Sequence, residues 1–108
     1  MTGLALGVDL GTSGVRSAVL DDAGDLVSSA RASYGPDADD YCDPERWWSA
    51  VSDCLFRQAE ALKAVGRSIG EVSRIAVDGT SGSLVLTDTA LTPVTRALMY
   101  NDTGFAAE

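Results

Sequence analysis

Residues 4–20 read Leu-Ala-Leu-Gly-Val-Asp-Leu-Gly-Thr-Ser-Gly-Val-Arg-Ser-Ala-Val-Leu. Two apolar runs, Leu4–Asp9 and Val15–Leu20, flank a short polar turn, which is the pattern of two strands joined tightly. The first run is nearly continuous and predicts a central strand covered on both faces. It ends in a carboxylate, Asp9, followed by Gly11, Thr12, Ser13 and Gly14. Glycines allow close approach of a ligand to the backbone, and the hydroxyls add donors. Such a turn suits a phosphate oxygen, and Asp9 suits a hydrated divalent metal. The same residues also suit a plain hairpin in which Asp9 caps nearby N–H groups.

The phrase returns. Residues 78–82 read Asp-Gly-Thr-Ser-Gly after the apolar Ile75-Ala76-Val77. Two strand ends of this kind in one short chain point to a cleft built from both. Asp78, Thr80 and Ser81 could exchange hydrogen bonds with a polyol, or form a second self-capping turn. Asn101-Asp102 closes a third apolar run, Leu98-Met99-Tyr100, either as cleft wall or as an Asx turn. Alternation along Val15–Leu20 places Arg16 with Ala18 and Leu20 and predicts it on the inward side. A guanidinium there, two residues from the turn, would seek an anion; the competing expectation is an arginine reaching solvent at the strand edge.

Between the two phrases, Asp21–Asp25 is a turn and Leu26–Ala32 a third strand returning antiparallel. Residues 34–43 form an acidic loop, and Asp37, Asp39 and Asp40 are expected to be solvated. Asp43, Pro44 and Glu45 are start signals for a helix. Its apolar stripe is Trp48, Val51, Leu55, Ala59 and Leu62, and Gly66 or Gly70 ends it. Trp47 and Trp48 are expected to pack at the core and its flank. Val72–Val77 is a fourth strand, parallel to a neighbour after the helical crossover. Leu84–Leu86 and Ala97–Tyr100 are two further short strands about a turn at Asp88–Pro93. The order β-β-β-α-β-β-β is an α/β mixed sheet with a helix on a face.

The chain has 108 residues, a net charge of −8 and no histidine. That bounds it to one small domain at most. It argues against nucleic-acid and anionic-membrane partners, which require clustered Lys and Arg. No apolar stretch nears the roughly 20 residues of a membrane span, and the N-terminus lacks the features of a signal peptide. Cys42 and Cys54 lack metal-ligand spacing and are expected to be reduced thiols of a cytoplasmic protein.

Taken together, the segments resemble the N-terminal part of the FGGY family of carbohydrate kinases, which have the actin-like ATPase (ribonuclease H-like) fold. Gly7-Val8-Asp9-Leu10-Gly11-Thr12-Ser13-Gly14-Val15-Arg16 is similar to that family's first phosphate motif. Asp43-Pro44-Glu45-Arg46-Trp47-Trp48 is similar to its Asp-Pro-Glu-x-Trp-Trp helix start. Leu98-Met99-Tyr100-Asn101-Asp102 is similar to its Trp-Asn-Asp segment, with Tyr100 in place of tryptophan. Asp78–Gly82 stands where xylulokinases usually carry Gln-Met-His-Gly and is similar to the ribulose-kinase-like branch.

The resemblance implies that residues 1–108 are an incomplete first domain of an ATP-dependent kinase acting on a ketopentose, ribulose before xylulose, at a primary hydroxyl. It implies that Asp9 positions Mg2+, through water, and the phosphoryl group. Gly11, Thr12, Ser13, Gly14 and Arg16 would surround that phosphoryl. Ser13, Gly14, Asp78, Thr80, Ser81, Asn101 and Asp102 would face the sugar. The general base and the nucleotide platform are expected beyond residue 108, leaving little turnover in this stretch alone, and a homodimer is compatible with the resemblance. A non-catalytic sugar- or partner-binding module and an actin- or chaperone-type ATPase are the rival readings.

Overall fold

A computed structural model of the protein describes residues 3–79 and 85–97. Strands β1 (Leu4–Leu10), β2 (Gly14–Leu20) and β3 (Leu26–Ser33) form an antiparallel meander. A single helical turn, α1 (Ala38–Tyr41), and a long helix, α2 (Pro44–Ala64), follow. A 3-10 turn (Ile69–Glu71) leads into β4 (Val72–Gly79). The sheet order is β3-β2-β1-β4, with β4 parallel to β1. The predicted order β-β-β-α-β is observed, with the helix carrying the crossover that a parallel pair requires.

Local chemistry explains the joints. The Asp21 carboxylate accepts from the N–H groups of Ala23 (3.0 Å) and Asp25 (2.9 Å), which closes the β2–β3 turn. Asp43 caps α2, its carboxylate accepting from the Glu45 N–H at 3.0 Å, with Pro44 in the first turn. At the other end the Gly66 N–H reaches the Lys63 carbonyl and the Arg67 N–H the Leu62 carbonyl, a Schellman closure. Gly66 takes φ +76° there, a conformation that favours glycine.

Four expectations change in the structure. The acidic segment 34–43 contains α1, because the Asp37 N–H donates to the Asp40 carboxylate (3.2 Å) and nucleates one helical turn. Asp39 and Asp40 also face Arg96 and Arg46, each at 3.5 Å.

The buried stripe of α2 is Ala50, Cys54, Gln58 and Leu62, about one residue round from the predicted line. Trp48 is 69% exposed, whereas Trp47 packs at the core and donates its indole N–H to the Tyr41 carbonyl at 2.8 Å. The shift has a polar cause. Gln58 is fully buried, hydrogen-bonds both Ser28 and Ser17 (2.8 Å to Ser17), and so turns its side of the helix to the sheet.

Among the described residues the sheet is covered on one face. Leu4, Leu6, Val8, Val15, Val19 and Ala32 join α2 residues in the core, while Gly7, Asp9, Arg16 and Arg31 on the other face are exposed. Because α2 lies over β2 and β3, Ile75 and Val77 of β4 remain 66% and 68% exposed.

Last, residues 85 and 86 are not in a strand. Thr87 bridges Pro93 instead, about a turn that Asp88 ties by accepting from the Ala90 (2.9 Å) and Thr92 (3.0 Å) N–H groups. Ala97 is buried and outside any strand, its N–H donating to the Cys42 carbonyl at 2.9 Å. Leu84 and residues 98–100 lie outside the described residues.

Candidate active site

The β1–β2 turn is built by close backbone approach. The Gly11 N–H donates to the Gly14 carbonyl at 2.8 Å, and a side chain on Gly14 would begin 2.6 Å from the Ala32 carbonyl oxygen. Only glycine lets β3 pass that near. Thr12 and Ser13 stand exposed at the tip.

Tyr34, just after β3, straps the turn from beneath. Its N–H donates to the Ser13 carbonyl (3.1 Å) and its phenol to the Gly11 carbonyl (2.8 Å). Tyr34 is buried, and burial, with a smaller contribution from the Asp9 charge, raises its phenol above the ordinary value. Nothing in the local sequence pattern marks Tyr34. Its partners lie across a fold, and a tyrosine at a strand end carries no local signature.

Strand pairing then sets one row of charge on the open face. Arg31 of β3 is opposite Arg16 of β2, Arg16 is opposite Asp9 of β1, and Asp9 is opposite Asp78 of β4. The row borders an open hollow of about 800 Å3 over the sheet, and Asp9, Arg16 and Arg31 also border the space around the Gly11–Gly14 turn. Asp9 and Asp78 therefore face one hollow. The Asp78 carboxylate accepts from the Gly79 N–H at 2.8 Å, which fixes it at the strand end.

Arg16 does belong beside the turn, but on the exposed face rather than the inward one. Alternation assigns Val15, Ser17 and Val19 to the helix side, and Ser17 is drawn there by Gln58 and Cys54. Thr80, Ser81, Asn101 and Asp102 lie outside the described residues.

The metal expectation meets a specific donor set. Among the described residues no group of three or more Asp, Glu, Cys or His could enclose an ion. Two neighbouring carboxylates open to solvent suit a hydrated Mg2+ held through its waters, since that ion sheds water reluctantly. Cys42 and Cys54 are free thiols, and the Cys54 sulfhydryl donates to the Ser17 hydroxyl at 3.4 Å.

Residues 4–108 match the N-terminal domain of the FGGY family of carbohydrate kinases. The chain belongs to that family. Within it, the chain is 32% identical over 108 residues to a xylulose kinase of Streptomyces coelicolor, covering 97% of this chain and 21% of that protein. The crystal structure of a xylulose kinase from Bifidobacterium adolescentis superposes with a TM-score of 0.76 at 28% identity, over 94% of this chain and 18% of that one. A kinase from Brucella ovis superposes with a TM-score of 0.78 at 24% identity, over 94% and 22%, which bears on the fold. The FGGY chain thus spans about a fifth of the length of the curated relatives it matches. Its turn and charged row sit within the matched region. Among the described residues no helix is long and apolar enough to cross a membrane.

Proposed function

We propose that this chain is the N-terminal part of the first domain of an ATP-dependent kinase that transfers the γ-phosphoryl of ATP to a primary hydroxyl of a ketopentose. The observation that carries the reading is that Asp9 borders both the hollow it shares with Asp78 and the adjoining space around the Gly11–Gly14 turn. The relatives named xylulose kinase make xylulose the first substrate to test, and ribulose is the second.

Phosphoryl transfer asks the protein mainly for positioning and charge neutralisation along an in-line path. The turn's hydroxyls and the Arg16 guanidinium offer donors to phosphoryl oxygens. Asp78 offers an acceptor to a sugar hydroxyl, and the family resemblance adds Thr80, Ser81, Asn101 and Asp102 as candidate sugar contacts. Asp9, with Asp78 as neighbour, would hold the waters of a Mg2+ ion, which would supply charge neutralisation at the phosphoryl group. The sugar's proton is taken by a base beyond residue 108. The protein works in the cytoplasm on small molecules.

The test is ADP release by the full-length protein with ATP and Mg2+ against a panel of pentuloses and polyols. Stimulation by xylulose or ribulose is expected. ADP release indifferent to any sugar would instead mark an actin- or chaperone-type ATPase, and sugar binding without turnover would mark a binding module.

A further inference from the structure

Arg31 lies outside every motif quoted above, yet it completes the charged row. It is the direct cross-strand partner of Arg16 at an interior position of the β2–β3 pair. Side chains so paired start roughly 4.5–5.5 Å apart at Cβ, and like charges there destabilise the sheet. Both side chains lie on the exposed face.

An acidic chain could neutralise the pair easily, having 16 carboxylates against 8 cations. At four other arginines it does so: Arg46 meets Asp40, Arg57 meets Asp53, Arg67 meets Glu71 and Arg96 meets Asp39, while Arg74 on β4 has no ion pair among the described residues. Among the described residues neither Arg16 nor Arg31 forms an ion pair, and Asp9, across from Arg16, does not close on it. The row is thus split, with two guanidinium groups on β2 and β3 and two carboxylates on β1 and β4. Both arginines border the space around Gly11–Gly14, as does Arg57, whose guanidinium is already paired with Asp53 at 3.0 Å. Guanidinium forks match phosphate oxygens in pairs of hydrogen bonds, and two forks suit a dianion better than one.

We infer that Arg31 and Arg16 form a two-guanidinium clamp for a terminal phosphoryl dianion at the β1–β2 turn. Arg31 is then a ligand-contacting residue, and the repulsion within the pair is relieved when the anion arrives. The inference rests on the kinase reading for its ligand class, which includes the terminal phosphate of a nucleotide and the phosphate of a sugar monophosphate.

The experiment compares the full-length wild type with Arg31→Gln and Arg31→Lys by calorimetric titration with Mg-ATP, with xylulose 5-phosphate and with unphosphorylated xylulose. Arg31→Gln is expected to weaken a phosphate-bearing ligand about 10-fold, one charge-assisted contact's worth. Arg31→Lys should recover part of that, and xylulose itself should bind all three alike. Loss confined to Mg-ATP assigns the clamp to the nucleotide, and loss confined to the sugar phosphate assigns it to the product.

In thermal melts without ligand, Arg31→Gln should be as stable as wild type or more so, because a repulsion is gone. Wild-type binding of both phosphate ligands by Arg31→Gln overturns the clamp while leaving ketose turnover, and so the kinase reading, intact. Arg31-dependent phosphate binding in a wild type that phosphorylates no ketose has the opposite consequence. An unfolded Arg31→Gln would also overturn the inference, since it would make Arg31 a structural residue.

Discussion

The two faces of the sheet solve opposite problems with alternate residues of the same strands. On the covered face Ser17, Ser28, Cys54 and Gln58 are neutral and hydrogen-bonded to one another under α2. On the open face Arg31, Arg16, Asp9 and Asp78 are charged and exposed. A polar group shut away from water must be satisfied internally, or its desolvation is uncompensated. A charge left in water keeps its solvation and remains available to a ligand. The covered face therefore fixes the scaffold, and the open face is where ligand chemistry can reside.

The contrast predicts that changes on the open face damage activity and spare the fold, and that changes on the covered face do the reverse. On the proposed kinase reading, Asp9→Ala should lower kcat of the full-length protein by about 1,000-fold, the scale of a lost electrostatic contact to the reacting group. Its melting temperature should stay near wild type. Unchanged turnover in a coupled ADP assay would remove Asp9 from the site.

Gln58→Ala is the mirror experiment. It opens a cavity and strips partners from Ser17 and Ser28, which should cost about 2–4 kcal/mol in a urea titration. A variant that still folds should keep its KM for sugar. A loss of activity without a loss of stability would break the division between the faces.

Tyr34 tests the seam between them. Tyr34→Phe keeps the ring and removes the hydrogen bond to the Gly11 carbonyl, which should cost about 1 kcal/mol and raise KM more than it lowers kcat. Its pH behaviour sharpens the test. The folded state holds the phenolic proton more tightly than the unfolded chain, whose ordinary value is 10.0. The stabilisation is thus complete below that pH and is lost as pH rises through the folded value. Tyr34→Phe should abolish that alkaline loss in thermal melts.

The smallest effect lies away from both faces. Glu71 accepts from the Arg67 guanidinium (Nε at 3.1 Å, Nη2 at 3.0 Å) and from the Ser68 N–H (2.8 Å), and these bonds hold its carboxyl below the ordinary 4.5. The contribution is present above that value and fades as pH falls through the lowered folded one. Glu71→Gln should cost little at neutral pH. Its melting curve should merge with that of wild type in acid.

Much of this was legible in residue order. The Gly11–Gly14 turn, the antiparallel return of Leu26–Ala32, the Asp43-Pro44 cap and the crossover into β4 are each written in a few adjacent residues. The apolar pattern of the helix misplaces its stripe because it contains no sign that a glutamine is core, and Gln58 belongs there only through Ser17 and Ser28, 41 and 30 residues away. Alternation separated Arg16 from Val15, but not which of the two faces a helix would cover. Tyr34 and Arg31 are illegible in sequence for a related reason: one matters through a carbonyl 23 residues earlier, the other through its place opposite Arg16.

The sequence by itself determined strands β1 to β4, the turn and the acid at the end of β1, because steric and capping preferences act between near neighbours. Tertiary structure alone decided which face stays open and that Arg31, Arg16, Asp9 and Asp78 stand in one row. Register and burial are properties of pairs of segments, and no residue carries them alone.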